Sequence, residues 1–145
     1  MKLSIIIPVY NGAATIEALV GQLFDTLAST YELEVVLVND CSPDDNSADV
    51  CRLLADKQPE LVFLDLARNF GEHNSVMAGL NHCSGDAAVI IDDDFQNSPQ
   101  DVIKLVDELL DGYDVVYSAY VKKEHHFFRN MGSRFNGMVA SILIG

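Results

Sequence analysis

Residues 87–95 read AAVIIDDDF, in which a short apolar run, Ala87–Ile91, ends in three consecutive aspartates. A run rich in Val and Ile, without polar alternation, is typical of a strand buried on both faces of a parallel sheet. The chain contains four more runs of this kind: Leu3–Ile7, Leu33–Val38, Leu61–Leu66 and Asp114–Tyr117. The sequence therefore predicts five strands, with the aspartates at the carboxyl end of the fourth.

Helical patterns separate these runs. From Ile16 to Leu27 apolar residues recur three and four positions apart, which predicts an amphipathic helix. Three shorter patterns predict further helices: one that begins near Asn46, one that ends before Gly85 and one that begins at Pro99. The second helix is expected to bury Leu53, and the fourth Leu110. Strands that alternate with helices predict an α/β domain, a mostly parallel sheet with helices on both faces, which binds ligands at the carboxyl ends of its strands.

Composition narrows the class of protein. The 145 residues include 9 Lys+Arg and 22 Asp+Glu, a net charge of −13, and 49% are hydrophobic. One domain with a real core is expected, and so acidic a chain argues against a nucleic-acid partner. Three cysteines without CxxC spacing favour a reducing compartment and argue against disulfides or a zinc site. With no signal peptide and no apolar run of about 20 residues, a cytoplasmic chain is expected.

Residues 112–145 differ from the rest because they carry four bases and only two acids. Their apolar residues keep roughly helical spacing, with Arg129 and Arg134 between them: Phe127, Phe128, Met131, Phe135, Met138, Val139 and Ile142. An amphipathic helix of this kind lies on a membrane surface or packs against protein, and the sequence leaves both possibilities open.

Polar and aromatic side chains follow the first three predicted strands. Tyr10, in the segment PVYNG that follows the first strand, offers a ring that can stack on a flat base. Asp40, after the second strand, can accept a hydrogen bond from a base N–H, and Arg68, after the third, suits a phosphate or a base carbonyl. Each also has a structural interpretation: a turn residue for Tyr10 and Asp40, and neutralisation of nearby carboxylates for Arg68.

The three aspartates after the fourth strand are the strongest signal. In an extended chain Asp92 and Asp94 share a face while Asp93 points away. Two carboxylates on one spot suit Mg²⁺ or Mn²⁺, which takes substrate phosphates as further ligands, although a solvated acidic turn is the alternative. The chain has no GxGxxG after the first strand, no P-loop and no GxSxG elbow. Taken together, the residues that follow the first four strands suit the binding of a nucleoside diphosphate.

Four segments in this order resemble the family 2 glycosyltransferases with the GT-A fold, most of all those that act on polyprenyl phosphates: PVYN, VNDCSPDD, ARNFGEHNSVMAGLNHCSGD and IIDDDFQNSP. The resemblance covers residues 3–118 well and 119–145 loosely. It implies transfer of a sugar, with inversion and with Mg²⁺ or Mn²⁺, from a UDP- or GDP-sugar to a polyprenyl phosphate or a saccharide. It further implies cell-envelope polysaccharide or glycolipid synthesis at the inner face of the cell membrane, and it leaves a homo-oligomer open.

The resemblance also implies roles for particular residues. Nucleotide binding falls to Pro8, Tyr10, Asn11, Asp40, Arg68 and Asp92, and metal binding to Asp94 with Asp92. Gln96 joins these two aspartates in catalysis, near the donor sugar and the acceptor phosphate, which Arg129 and Ser133 are expected to grip. Residues 1–118 would then form the nucleotide-sugar core, and 119–145 the incomplete start of an acceptor-side, amphipathic region.

The chain departs from the family pattern at several positions. Gly12 stands where the family often has Glu, and Asn39 replaces the first acid of an Asp-Asp pair. Asp92 and Asp94 match the two acids of the family's DxD motif. Asp93 occupies the middle position, where the family usually has a small residue. The chain is also shorter than the family's usual catalytic domain, so we expect it to be truncated.

Two other classes of protein use similar residues. A haloacid-dehalogenase-type phosphatase would use Asp92 as nucleophile and Asp94 as general acid with Mg²⁺, but its motif follows the first strand of the core. A receiver-type signalling module, or another non-catalytic module that binds Mg²⁺ or a nucleotide, would also be acidic and of this length. In a receiver the acidic pair closes the first strand, where this chain has Tyr10 and Asn11.

Overall fold

The computed structural model describes residues 1–95 and 98–118 and the backbone of residues 139–142. In chain order the elements are β1 (Lys2–Val9), α1 (Ile16–Leu27), β2 (Glu32–Asn39), α2 (Ser47–Lys57), β3 (Leu61–Asp65), α3 (Glu72–His82), β4 (Ala87–Ile90), α4 (Pro99–Leu110), β5 (Val115–Tyr117) and β6 (Val139–Ile142). The five predicted strands and four predicted helices are confirmed. Within the described residues, no helix combines the length and the apolar character that crossing a membrane requires.

The strands form one sheet in the order β3-β2-β1-β4-β6-β5. β1 to β4 are mutually parallel, whereas β6 lies between β4 and β5 and is antiparallel to both. The expected mostly parallel α/β sheet is therefore confirmed, but β6 was not predicted. The helical interpretation is wrong for Val139 and Ile142, since a short apolar run fits a strand as well as a buried helix. The rest of that predicted helix lies outside the described residues.

Helices cover both faces of the sheet unequally. Side chains alternate along a strand, so Leu3, Ile5 and Ile7 of β1 face the core formed with α1, α2 and α4. Ile6 points to the other face, where it joins a smaller cluster under α3. Gly79 lets α3 approach, because a Cβ at that position would lie 2.5 Å from Cγ2 of Ile6.

Two side chains that were expected in the core are exposed. Leu53 is 57% exposed and Leu110 is 60% exposed. The buried faces of their helices run through neighbouring positions, Cys51 and Leu54 in α2 and Leu109 in α4. A helix turns about 100° per residue, so a leucine one position away from a buried residue leaves the core face. β5 also differs from the prediction of a buried strand, because Val115 and Tyr117 are exposed.

The side of the sheet at which the parallel strands begin, called the amino edge here, contains a carboxylate with hydrogen bonds to both of its oxygens. Glu34 of β2 is buried and accepts hydrogen bonds from Ser4 Oγ (2.6 Å), Ser84 N (2.7 Å) and Ser84 Oγ (2.6 Å). Lys2 Nζ also donates a hydrogen bond to Oε1 of Glu34, at 3.1 Å. Burial alone would raise the pKa of Glu34, but these hydrogen bonds outweigh burial and lower the pKa to about 2. The cluster joins β1, β2 and the loop before β4.

Candidate functional site

A cleft of about 340 Å³ opens at the carboxyl ends of β1 to β4, where a parallel sheet is expected to bind ligands. Its walls come from the end of β1 and from the segments that follow the four strands: Pro8, Val9 and Tyr10; Asp40; Asn69, Gly71, Glu72 and Ser75; and Asp92, Asp93 and Asp94. Of the residues predicted for the site, the structure brings together Pro8, Tyr10, Asp40, Asp92 and Asp94.

All three aspartates after β4 are among the residues that line the cleft, but the Asp93 side chain turns towards Gly12, which is not a lining residue. Strand alternation does not extend to this segment, because β4 ends at Ile90 and residues 93–94 form a turn. Phe95, next in the chain, has a φ of 59°, in the left-handed region that aromatic residues rarely adopt. The turn therefore brings three consecutive acidic residues to the cleft, with the Asp93 carboxylate directed towards Gly12.

The cleft is strongly acidic. Five of its lining residues are acidic, and no Lys or Arg is among those that the structure describes there. Burial, followed by the negative charges of Glu72, Asp94 and Asp93, raises the pKa of Asp92 to about 6. Burial also raises the pKa of Asp93 to about 6, against a hydrogen bond from the Tyr10 backbone. Crowded carboxylates with raised pKa values are typical of functional sites.

The end of β1 presents an aromatic ring to the cleft. Tyr10 is 49% exposed, which leaves its ring available to a ligand. Asn11 does not line the cleft. Its backbone N–H donates to Ser42 Oγ (3.0 Å) and its Nδ2 donates to Asp44 Oδ2 (3.1 Å), so it joins the loops after β1 and β2. A nucleotide contact by Asn11 stays a prediction.

Asp40 holds the loop after β3. This side chain is buried, and its two oxygens accept hydrogen bonds from Phe70 N and Gly71 N, each at 2.8 Å. Gly71 has a φ of 89°, which favours glycine at this turn. Asp40 thus places Asn69, Gly71 and Glu72 along the cleft, and its predicted contact with a base is not tested.

Arg68 does not line the cleft. Its guanidinium carbon lies 4.6 Å from the centroid of the Phe70 ring, a cation–π contact. A nucleotide contact by Arg68 stays a prediction. Gln96, Arg129 and Ser133, predicted near the donor and acceptor, lie outside the described residues.

Sequence reasoning missed the wall formed by the β3–α3 segment. Asn69, Gly71, Glu72 and Ser75 all line the cleft, and Ser75 is fully buried. One signal was available, since an Asn-Phe-Gly turn that leads into a helix places the first helical turn beside the strand ends. The orientation of Glu72 towards Asp92 depends on the tertiary fold.

Asp92 and Asp94 fit a divalent cation of the Mg²⁺ or Mn²⁺ type. Both are hard oxygen donors on one cleft, and the negative charge around Asp92 favours a cation there. Within the described residues, no group of three or more His, Cys, Asp or Glu side chains could hold a metal ion by itself. One or two carboxylates, completed by ligand phosphates and water, is the usual arrangement for Mg²⁺.

The sheet order and the position of the cleft define the GT-A class of α/β fold. The family model for glycosyl transferase family 2 matches residues 4–142. The chain belongs to this family.

Known relatives and structures agree with this assignment. The chain is 34% identical over 142 residues to the undecaprenyl-phosphate 4-deoxy-4-formamido-L-arabinose transferase of Yersinia pestis (strain Pestoides F), covering 95% of this chain and 42% of that protein. The mannosyltransferase PcManGT from Pyrobaculum calidifontis, in complex with GDP-Man and Mn²⁺, superposes with a TM-score of 0.69 at 26% identity, over 83% of this chain and 35% of that one. S. aureus TarS 1-349 in complex with UDP-GlcNAc superposes with a TM-score of 0.63 at 28% identity, over 79% of this chain and 33% of that one. The chain thus spans less than half the length of the relatives that it matches.

Proposed function

We propose that this chain is the donor-binding part of an inverting glycosyltransferase that moves a sugar from a UDP- or GDP-sugar to a polyprenyl phosphate. A saccharide is the other acceptor that the family suggests. Cell-envelope polysaccharide or glycolipid synthesis, at the inner face of the membrane, is the corresponding process. The observation that carries the proposal is the joint placement of Tyr10, Asp92 and Asp94 on one cleft at the carboxyl ends of parallel strands.

The charge of the cleft supports a cation-dependent donor. A nucleoside diphosphate is an anion, and the described lining offers it five carboxylates and no basic side chain. Asp92 and Asp94 would hold Mg²⁺ or Mn²⁺, which when bound supplies charge stabilisation for a departing diphosphate. Asp92 and Asp94 alone would repel the donor. The charge of the cleft therefore supports metal dependence, and so does the Mn²⁺ bound in the PcManGT complex.

The remaining steps assign roles to the chain's own residues. The exposed Tyr10 ring would stack on the base, and the loop held by Asp40 would shape the wall beside it. In the transfer, a phosphate oxygen of the acceptor forms a bond to the sugar's anomeric carbon while the bond from that carbon to the nucleoside diphosphate breaks. A phosphate acceptor is already anionic near neutral pH, so it requires little help from a general base. Gln96, Arg129 and Ser133 are proposed to act on the acceptor side.

The test is thermal unfolding of the chain with UDP, GDP, CDP and dTDP, each with and without Mn²⁺. We expect one or more of these nucleotides, at about 100 times its Kd, to raise Tm by roughly 5–10 °C only when Mn²⁺ is present. Asp94→Asn should abolish the shift, whereas Asp56→Asn, an exposed carboxylate of α2, should leave it unchanged. A shift of equal size without metal would refute the proposed site.

The phosphatase and signalling alternatives are not favoured. Both expect the acidic motif after the first strand, whereas β1 is followed by Tyr10 and Asn11 and the aspartates follow β4. The family match across residues 4–142 also points away from them. Release of inorganic phosphate from simple phosphomonoesters would reverse this preference.

A further inference from the structure

Gly12 and Asp93 share one small space between the loop after β1 and the acidic turn after β4. A Cβ at Gly12 would overlap Oδ2 of Asp93, and it would lie 3.1 Å from Asp93 Cγ and 3.2 Å from Val9 Cγ1. The Asp93 side chain therefore fills the volume that any side chain at position 12 would require.

The backbone of Gly12 is anchored and cannot easily retreat. Its N–H donates to Ser47 Oγ at 2.9 Å, and its carbonyl accepts from Thr15 N (3.1 Å) and Ile16 N (3.0 Å). Its φ lies outside the left-handed region, so the backbone conformation itself does not demand glycine. Space for Asp93 is what requires a glycine at this position.

We propose that Asp93 is a positioning residue that ties the acidic turn to the loop carrying Tyr10, through the space that Gly12 leaves open. Its carboxyl accepts a hydrogen bond from the Tyr10 backbone. Its Oδ2 is buried, with no hydrogen-bond partner among the described residues. A buried carboxylate oxygen without a partner costs stability, so packing alone gives no reason for an aspartate here.

This tie sets the geometry of the donor site. Tyr10 forms the wall proposed for the base, and Asp92 and Asp94 form the wall proposed for the cation. Because Asp93 links the two walls directly, it fixes the separation between base and diphosphate. The inference rests on the proposed function of the cleft and adds a determinant of nucleotide fit to it.

The first arm of the test measures the Kd of GDP and of UDP in saturating Mn²⁺ by calorimetry. Asp93→Ala removes the acceptor for the Tyr10 N–H, and we expect the Kd of the preferred nucleotide to rise about tenfold. Asp93→Asn keeps an acceptor oxygen without the charge, and we expect its Kd to stay within about threefold of the wild type. Asp56→Ala serves as the exposed control.

The second arm measures thermal unfolding without ligand or metal. Gly12→Ala should lower Tm by about 5 °C, because the added methyl group overfills a packed space. In the Asp93→Ala background the same substitution should lower Tm much less, because only the 3.2 Å approach to Val9 Cγ1 then remains. Gly21→Ala is the matched control, since a Cβ at this α1 position meets nothing within 4 Å.

Two patterns would overturn the role of Asp93. Equal loss of affinity in Asp93→Asn and Asp93→Ala would mean that its charge, rather than the tie, matters. Unchanged affinity in both variants, with coupled stabilities, would reduce Asp93 to a packing residue. A wild-type chain that binds no nucleotide in Mn²⁺ would instead overturn the proposed function and the positioning role with it, while the ligand-free stabilities would still report the contact between Gly12 and Asp93.

Discussion

The two edges of this sheet treat buried carboxylates in opposite ways. At the amino edge, Glu34 is surrounded by donors from Ser4, Ser84 and Lys2, and its pKa is lowered to about 2. At the carboxyl edge, burial and neighbouring negative charges raise the pKa values of Asp92 and Asp93 to about 6. The fold thus favours the ionised form of Glu34, whereas it disfavours the ionised forms of Asp92 and Asp93.

This difference separates a carboxylate whose ionised form the fold stabilises from two whose ionised forms it disfavours. Folding favours buried charges only where donors surround them, as at Glu34. A cluster that the chain leaves crowded and incompletely bonded has no such justification, and a cation with an anionic ligand would supply one. The contrast supports the proposed binding site without reference to any relative.

The largest effect is expected at Glu34. Glu34→Ala removes the acceptor for four hydrogen bonds and leaves their donors without a partner, so we expect the free energy of unfolding to fall by about 2–3 kcal/mol. Chemical denaturation at pH 7 measures it. Glu32→Ala, an exposed glutamate two residues earlier on the same strand, should change stability by less than about 0.5 kcal/mol. Equal losses in the two variants would contradict the structural role of Glu34.

The pH dependence of this contribution follows from the lowered pKa. Because the folded state holds Glu34 ionised more strongly than the unfolded chain does, its contribution is fully present above about pH 4.5. It declines as the pH falls from about 4.5 towards 2. The stability difference between wild type and Glu34→Gln, about 1–2 kcal/mol at pH 7, should therefore narrow over this range. A difference that stays constant down to pH 2.5 would contradict the pKa shift.

Local patterns predicted those parts of the site that follow directly from strand ends. Tyr10, Asp40 and Asp92 each come within two residues of a strand end and Asp94 within four, and parallel strands bring such positions together. The place of Glu72 in the cleft could not be predicted in this way. Glu72 begins α3, and the loop before α3 is held by Asp40, which follows another strand.

Non-local pairing explains the other failures. β6 becomes a strand because β4 and β5 flank it, and its own residues fit a helical pattern equally well. The Asp93 side chain fills the space beside Gly12, a contact that the sequence could not predict because the two residues are far apart in the chain. The contact of Arg68 with the Phe70 ring was not predicted either, and the expected contact of Arg68 with a phosphate or a base carbonyl stays a prediction.

The smallest effect has the more informative sign, and it lies at the carboxyl edge. Asp92→Asn removes one charge from a crowded, half-buried position while keeping the shape of the side chain. Without metal, we expect it to stabilise the chain by about 1 kcal/mol at pH 7, well below the full value of the pKa shift because solvent screens part of the repulsion. The same variant should lose the Mn²⁺-dependent stabilisation by nucleotide, since a cation ligand has gone.

Denaturation in EDTA and thermal shifts in Mn²⁺ measure the two effects separately, with Asp56→Asn as the neutral control. Opposite signs are expected of a side chain kept for binding at a cost to folding. A destabilised Asp92→Asn chain in EDTA would place Asp92 with Glu34, among the carboxylates that the fold itself requires.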